Sequence, residues 1–454
     1  MNERVYHLVD LHPDQKPWRL ISRHIGALGG RPQPRVGARW WTWMFRAAMV
    51  AGMFLAVSVG DVRAQQFEVP SNRSAASVLP PDLLAGPYHR VRERIVSYGF
   101  LHHFTVDSSF GVFEVVGDGA LRKLVREFSA IAALKEIKQS EAFIRSVGQA
   151  AKAPLGFAKS LITNPVDTLS GLPSGVFQIF GNISEGITME HDPSEDSAFK
   201  QALFVSSWKR DYAAQMGVDV YSSNKVLQEE LNRIGWAAAI GGLTVSAVTM
   251  GADATAVIVL KQMRLANSVG NVLKEEPPSR LRIINMKKLN AMGVNEALAA
   301  RFLDHQIFTP RHDTIIVANL EGLRGARGRD AFIRSILSAK DVTGANFFMN
   351  IAQTMKGYHD IVSPISDITI VGGFVIARAQ NGTALIPFPM DHGVWSQRAN
   401  NVVSGLIKNY RPAGFDGRFE MWVTGTVSPL ARQQLTQLGV VVAEDVDQRI
   451  LILD

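Results

Sequence analysis

An apolar run from Ala47 to Gly60, with Arg46 before it and Val62-Arg63-Ala64 behind it, decides which residues of this chain take part in its fold. The order of positive charge, uncharged apolar core and small-residue processing site is that of a secretory signal peptide, cleaved before Gln65. The core falls short of the roughly 20 residues that a helix needs to cross hydrocarbon, so the rival reading as an uncleaved anchor is the weaker one. Residues 1–43 carry Arg, Pro, Trp and His without a sustained period, and a start of translation at Met44 would give a compact leader. No Arg-Arg pair precedes the run, so the twin-arginine route has no support.

Export without cysteine constrains the remainder. The chain has no Cys, which excludes a disulfide framework, a thiol nucleophile and thiolate metal clusters. The fold must therefore stand on buried apolar surface, and residues 65–454 are enough for two or three ordinary cores. The formal net charge of the whole chain is +7, but residues 1–64 hold nine basic and four acidic side chains, leaving +2. No nucleic-acid partner is expected from so small an excess.

Periodicity gives an α+β chain. Residues 65–86 collect Ser, Asn and Pro and read as a linker. Residues 87–362 read as a mainly helical domain with a β-hairpin at 102–116, and 363–454 as a small α/β domain. A helix is expected from about Gly119, and others behind the caps Ser140 and Asn224. Gly293 reads as a C-cap between helices at Leu281–Met292 and Asn295–Phe302. Further on, Ile368–Ala379 and Thr383–Pro389 read as strands joined at Asn381-Gly382. Phe419–Thr424, a helix opened by Ser428-Pro429 and closed by Gly439, and Val440–Ala443 suggest a βαβ unit. Two stretches have an apolar character that a membrane could use, Val176–Ile187 and Trp236–Leu260, although core packing is the simpler reading of both.

Diagnostic chemistry is absent. Met390-Asp391-His392 lies just past an expected strand end, where α/β domains collect ligand sites, and Tyr358-His359-Asp360 ends a helix. Asp391, His392 and His359 are therefore the catalytic candidates, a ring serving as base with a carboxylate to orient it. Sequence neighbours of this kind seldom face each other, and a structural role is the favoured reading. His305 and His312 lie seven apart across a loop. Ser206–Lys209 and Ser222–Lys225 match Ser-x-x-Lys without its companion elements, and Ser222 reads better as helix-entry chemistry. Arg324–Arg329 is a basic, Gly-rich stretch that lacks the ending of a phosphate-binding loop and reads as solvated. No cofactor and no metal site is expected.

Three segments carry a resemblance. Val218-Asp219-Val220-Tyr221-Ser222-Ser223-Asn224 running into Leu227, Asn164–Thr168 with Gly171–Gly175, and Val423–Pro429 are similar to a family of uncharacterised bacterial exported proteins. The resemblance covers most of the chain after residue 85. It implies a bacterial envelope location and no particular activity. The expectation is an exported, periplasmic or cell-surface protein with a non-catalytic interaction role, its partner an envelope protein or a membrane surface. A secreted hydrolase centred on Asp391 and His392, or a membrane-active effector, stand as alternatives.

Overall fold

Strand β5 organises the N-terminal sheet, and its alternation shows why. In the computed structural model, which describes residues 67–69, 72–150, 205–241, 260–410 and 417–453, His102, Phe104 and Val106 point inward and are buried, while Leu101, His103 and Thr105 lie between them on the other face. The strands in chain order are β1 (Arg73–Ser74), β2 (Ala85–Gly86), β3 (His89–Val91), β4 (Arg94–Tyr98), β5 (Leu101–Ser108) and β6 (Gly111–Val116). All pair antiparallel: β6 along one edge of β5, β4 and β3 sharing the other, β1 and β2 outside them. The hairpin expected at 102–116 is β5 and β6.

The expected linker at 65–86 is a correction. From residue 72 onward it carries β1, two short helical turns (Ala75–Val78, Pro81–Leu84) and β2, with Ala75, Leu79 and Leu83 buried. Pro80 and Pro81 start a helical turn there instead of loosening the chain.

Helix α1 (Asp118–Gln139) lays Leu121, Leu124, Phe128, Ile131 and Leu134 on this sheet at three- and four-residue spacing. Helix α2 (Glu141–Ala150) starts at Ser140, whose Oγ accepts from Phe143 N at 3.2 Å. A helix over 205–215 (α3) and α4 (Lys225–Gly241) complete the first core through Tyr212, Leu227, Leu231 and Ile234. Asn224 caps α4 as expected, its Oδ1 accepting from Val226 N and Leu227 N at 3.1 and 3.3 Å.

Six helices follow: α5 (Leu260–Glu275), α6 (Pro278–Ala291), α7 (Glu296–Leu303), α8 (Pro310–Gly322), α9 (Arg329–Ile336) and α10 (Val342–Ile361). Gly293 (φ +83°) stops α6, and Asn295 caps α7. The second sheet has the order β13-β11-β9-β8-β7, from β7 (Ile365–Val371), β8 (Phe374–Ala379), β9 (Ala384–Pro387), β11 (Phe419–Trp422) and β13 (Val440–Ala443). A short parallel pair, β10 (His392–Gly393) with β12 (Thr426–Val427), stands beside it. β9, β11 and β13 run parallel, with α11 (Gln397–Tyr410) and α12 (Pro429–Gln437) in the crossings, which makes two successive βαβ units. Ile368–Ala379 is not one strand: Gly372-Gly373, at φ +57° and +85°, folds it into the hairpin β7–β8.

The architecture is α+β. Its apolar residues group differently from a division at residue 362. The larger core unites Ile315, Leu320, Met355 and Tyr358 of α8 and α10 with Ile365, Ala377, Leu385 and Trp422 of the second sheet. Helices α5–α10 thus belong with the C-terminal sheet, because α9 and α10 pack on it and α5–α8 pack on those helices or on each other. Arg324 and Arg327 are exposed, as expected of a solvated loop, while the backbone there is anchored to the second sheet. Arg327 bridges Asp367 of β7, and a Cβ on Gly328 would stand 1.9 Å from Ile368 O. The leader, Val176–Ile187 and residues 242–259 lie outside the described residues. Among the described residues no helix is long and apolar enough to cross a membrane.

Candidate functional site

Asp391 does not stand with His359; it stands with two residues of the N-terminal half. Past the end of β9 the chain runs toward the turn between β4 and β5, where Asp391 N and His392 N both donate to Phe100 O, at 3.0 and 3.2 Å. Phe388 meets the Phe100 ring edge-on at 4.8 Å, so apolar contact brings the same two segments together. On the other side, Thr426 N donates to Asp391 O at 3.0 Å. The approach there is so close that a Cβ on Gly425 would lie 2.1 Å from Asp391 O.

Both oxygens of the Asp391 carboxylate receive main-chain amides: Oδ2 accepts from His102 N at 2.8 Å and Oδ1 from Asp118 N at 3.1 Å. Asp118 is the first residue of α1, so the carboxylate sits at a helix N-terminus that favours negative charge. His102 Nδ1–H donates to Asp118 Oδ1 at 2.9 Å and lies 3.9 Å from Asp391 Oδ2. Burial pushes the Asp391 carboxyl up to about 7, and the Asp118 charge adds to the rise; the two amides and His102 work against it.

His102 is 2% exposed, and its Nε2 has no hydrogen-bond partner among the described residues. Directly opposite on β4, Ser97 Oγ is in the same condition. His102 Nδ1 and one oxygen from each of Asp118 and Asp391 lie within 4.8 Å of one another, a donor set that divalent cations use. The hydrogen bonds just described already engage all three donors with protein groups.

The other candidates are employed elsewhere. His392 is half-exposed, its Nδ1 2.9 Å from Thr426 Oγ1, and burial lowers its pKa first, with the Arg73 and His102 charges adding. His359 Nδ1 accepts from Ile365 N at 3.0 Å, fixing the turn from α10 into β7, and burial lowers it too. Asp360 pairs with Lys356. His312 makes a capping box with Thr309 at the start of α8, and His305 Nδ1 accepts from Ile307 N. Ser222 donates from Oγ to the buried Glu127 at 2.6 Å, beside Asn224 Nδ2 at 2.9 Å, which is the helix-entry chemistry expected of it. His102 and Asp118 were not singled out from the sequence. The available signal was parity: His102 shares the inward face with Phe104 and Val106, and a buried imidazole needs a partner.

The fold and site define an α+β protein in which a buried carboxylate, Asp391, ties the C-terminal sheet region to the first sheet and its helix. Comparison with protein-family models, with curated proteins and with solved structures found no match.

Proposed function

We propose that this chain is an exported, non-catalytic binding protein of the bacterial envelope. The observation that supports this best is the employment of Asp391, whose two oxygens fasten amides that lie 289 and 273 residues earlier. A general acid or base needs a lone pair or proton directed at substrate, and this carboxylate directs both oxygens at main chain. His392 and His359 are likewise held by Thr426 and Ile365. The leader motif and the resemblance to exported proteins support the compartment.

The hydrolase reading keeps one specific support, which has moved to other residues. His102 has a carboxylate on Nδ1 and pairs with Ser97 across the ladder, which brings together the residue types of a nucleophile–base–acid relay, although no hydrogen bond joins Ser97 Oγ to His102 Nε2. Both Ser97 Oγ and His102 Nε2 are buried away from solvent, which weighs against it.

A panel of ester, phosphate ester, peptide and glycoside substrates, run on the wild type and on Ser97→Ala and Asp391→Asn, tests the class. No turnover above the variants' background is expected. Turnover lost in Ser97→Ala at unchanged urea midpoint would overturn the non-catalytic reading. For the compartment, a C-terminally tagged copy in the native host should yield a soluble species whose intact mass begins at Gln65. A species that retains residues 1–64, or resists an alkaline wash of the membranes, would overturn the export half.

A further inference from the structure

Where α3 and the entry to α4 meet the start of α8, a cleft of ≈ 360 Å³ opens to solvent, within the size range of small-molecule sites. It is lined by two cationic residues, Lys209 and Arg210, by Ser206, Tyr221, Ser222 and Thr309, and, among the described residues, by no acidic one. Buried cations normally carry a carboxylate partner, because desolvation of an unpaired charge is expensive. Here the partners are neutral. Lys209 Nζ donates to Gln228 Oε1 at 2.7 Å. Arg210, 7% exposed, donates from Nε to Lys274 O and from Nη1 to Ser206 Oγ, both at 2.9 Å.

The surrounding geometry is fixed. Gln228 Nε2 donates to Val220 O and Ser222 O at 3.0 and 2.9 Å, which aims its oxygen at Lys209. Tyr221 Oη at the cleft wall is buried and has no partner among the described residues. The nearby carboxylate Asp219 is already engaged by Lys123 Nζ at 2.8 Å and by Tyr221 N at 2.9 Å. Consistently, burial alone pushes the Lys209 amine down to about 8, with no acidic neighbour raising it.

We infer that this cleft is a binding site for a small oxyanion, the carboxylate or phosphate head of an organic acid, held by Lys209 and Arg210. Two cations supply the charge, and Ser206, whose Oγ accepts from Arg210 Nη1, keeps a hydroxyl proton to donate to an oxyanion. Val220 and Pro310 leave an apolar stretch of wall for the rest of the molecule. The inference rests on the binding reading of the protein and goes beyond it in naming the site and the ligand chemistry. Because the lining comes from α3 and α4 on one side and from Thr309-Pro310 on the other, the ligand would touch elements of both cores.

The test is calorimetric titration of the full chain with sodium phosphate and, in a parallel arm, sodium succinate, against sodium chloride as blank. Saturable binding of phosphate alone assigns a phosphate head, of succinate alone a carboxylate head, and of both an unselective oxyanion seat. Lys209→Met should weaken the binding at least about tenfold, while Lys288→Met, on the exposed pair with Glu321, should change nothing. Lys209→Met removes a buried charge, so the variant is expected to fold, and its far-ultraviolet circular dichroism checks that. No saturable heat from either anion, or equal losses in Lys209→Met and Lys288→Met, overturns the inference. Neither result bears on the substrate panel, so failure of the ligand and failure of the functional class stay distinguishable.

Discussion

Replacing Asp391 with Asn separates two opposing effects at one buried carboxyl. The Asn side chain keeps the shape but offers one acceptor oxygen, so either His102 N or Asp118 N loses its partner. An unsatisfied buried amide costs about 1–3 kcal/mol. Against this, Asn removes the burial of a charge, the larger of the two causes that raise the carboxyl to about 7. A carboxyl raised in the folded state binds its proton between pH 4 and 7, where the unfolded chain has released it. Stability therefore falls across that window as pH rises, by up to about 1.4 kcal/mol per pH unit for one proton, and the loss is complete above pH 7. The variant lacks this slope. Its deficit relative to wild type is expected to be largest near pH 4.5 and to shrink, or change sign, by pH 8. Urea midpoints followed by the fluorescence of the buried Trp395 and Trp422 give the comparison, with the wild-type and variant curves taken at each pH. A deficit that widens with pH would refute the reasoning. It would mean that the amides and the helix terminus favour the ionised form by more than burial opposes it.

Three further outcomes follow from the same coordinates. Gly425→Ala drives a methyl group onto Asp391 O and should destabilise by about 1–3 kcal/mol, with faster hydrogen exchange at Thr426 N than in wild type. Glu127→Ala leaves the Ser222 hydroxyl and the Asn224 amide without their acceptor, and a urea midpoint should report a loss of about 2–4 kcal/mol, against no more than a few tenths for the exposed Glu141→Ala. Lys209, depressed to about 8, binds fewer protons in the folded chain between pH 8 and 10.5 than in the unfolded one. Its contribution to stability thus rises with pH through that window, and Lys209→Met should raise the urea midpoint at pH 7 and flatten the rise.

Elements whose start or stop is signalled within a few residues could be read directly. Ser140, Asn224 and Ser428 cap the helices expected of them, since a side-chain oxygen and the next turn are local partners. The βαβ crossing from β11 through α12 to β13 follows from the alternation of strand and helix after residue 418. Where short-range and long-range signals competed, the reading failed. The apolar run at 368–379 hid the Gly372-Gly373 turn, and the prolines at 80 and 81 looked like a linker because the sheet they lean on lies further along. Asp391 was legible as a polar residue at a strand end. Its partners were not, because no local pattern ties it to an amide on β5 or to the first turn of α1. The Ser206–Lys209 spacing matches a motif that the chain does not complete, and what sets Lys209 apart, a cleft with no acidic residue among the described ones, depends on elements far apart in sequence.

The pair of amides held by Asp391 also has a consequence for how the molecule is made. A ribosome delivers the hairpin and the start of α1 long before it delivers residue 391, so the inner end of the first sheet spends most of synthesis with two donors turned to water. Closing a loop of such length adds only slowly to the entropy already lost, about 0.6 kcal/mol for each doubling, so distance is no great thermodynamic burden. Time is the heavier one, because contacts between residues far apart in sequence form late. A nascent chain of this protein thus carries a complete first sheet with two amides still unpaired, and fragments ending before residue 391 should be held by chaperones and cleaved by proteases more readily than their intact first core would suggest.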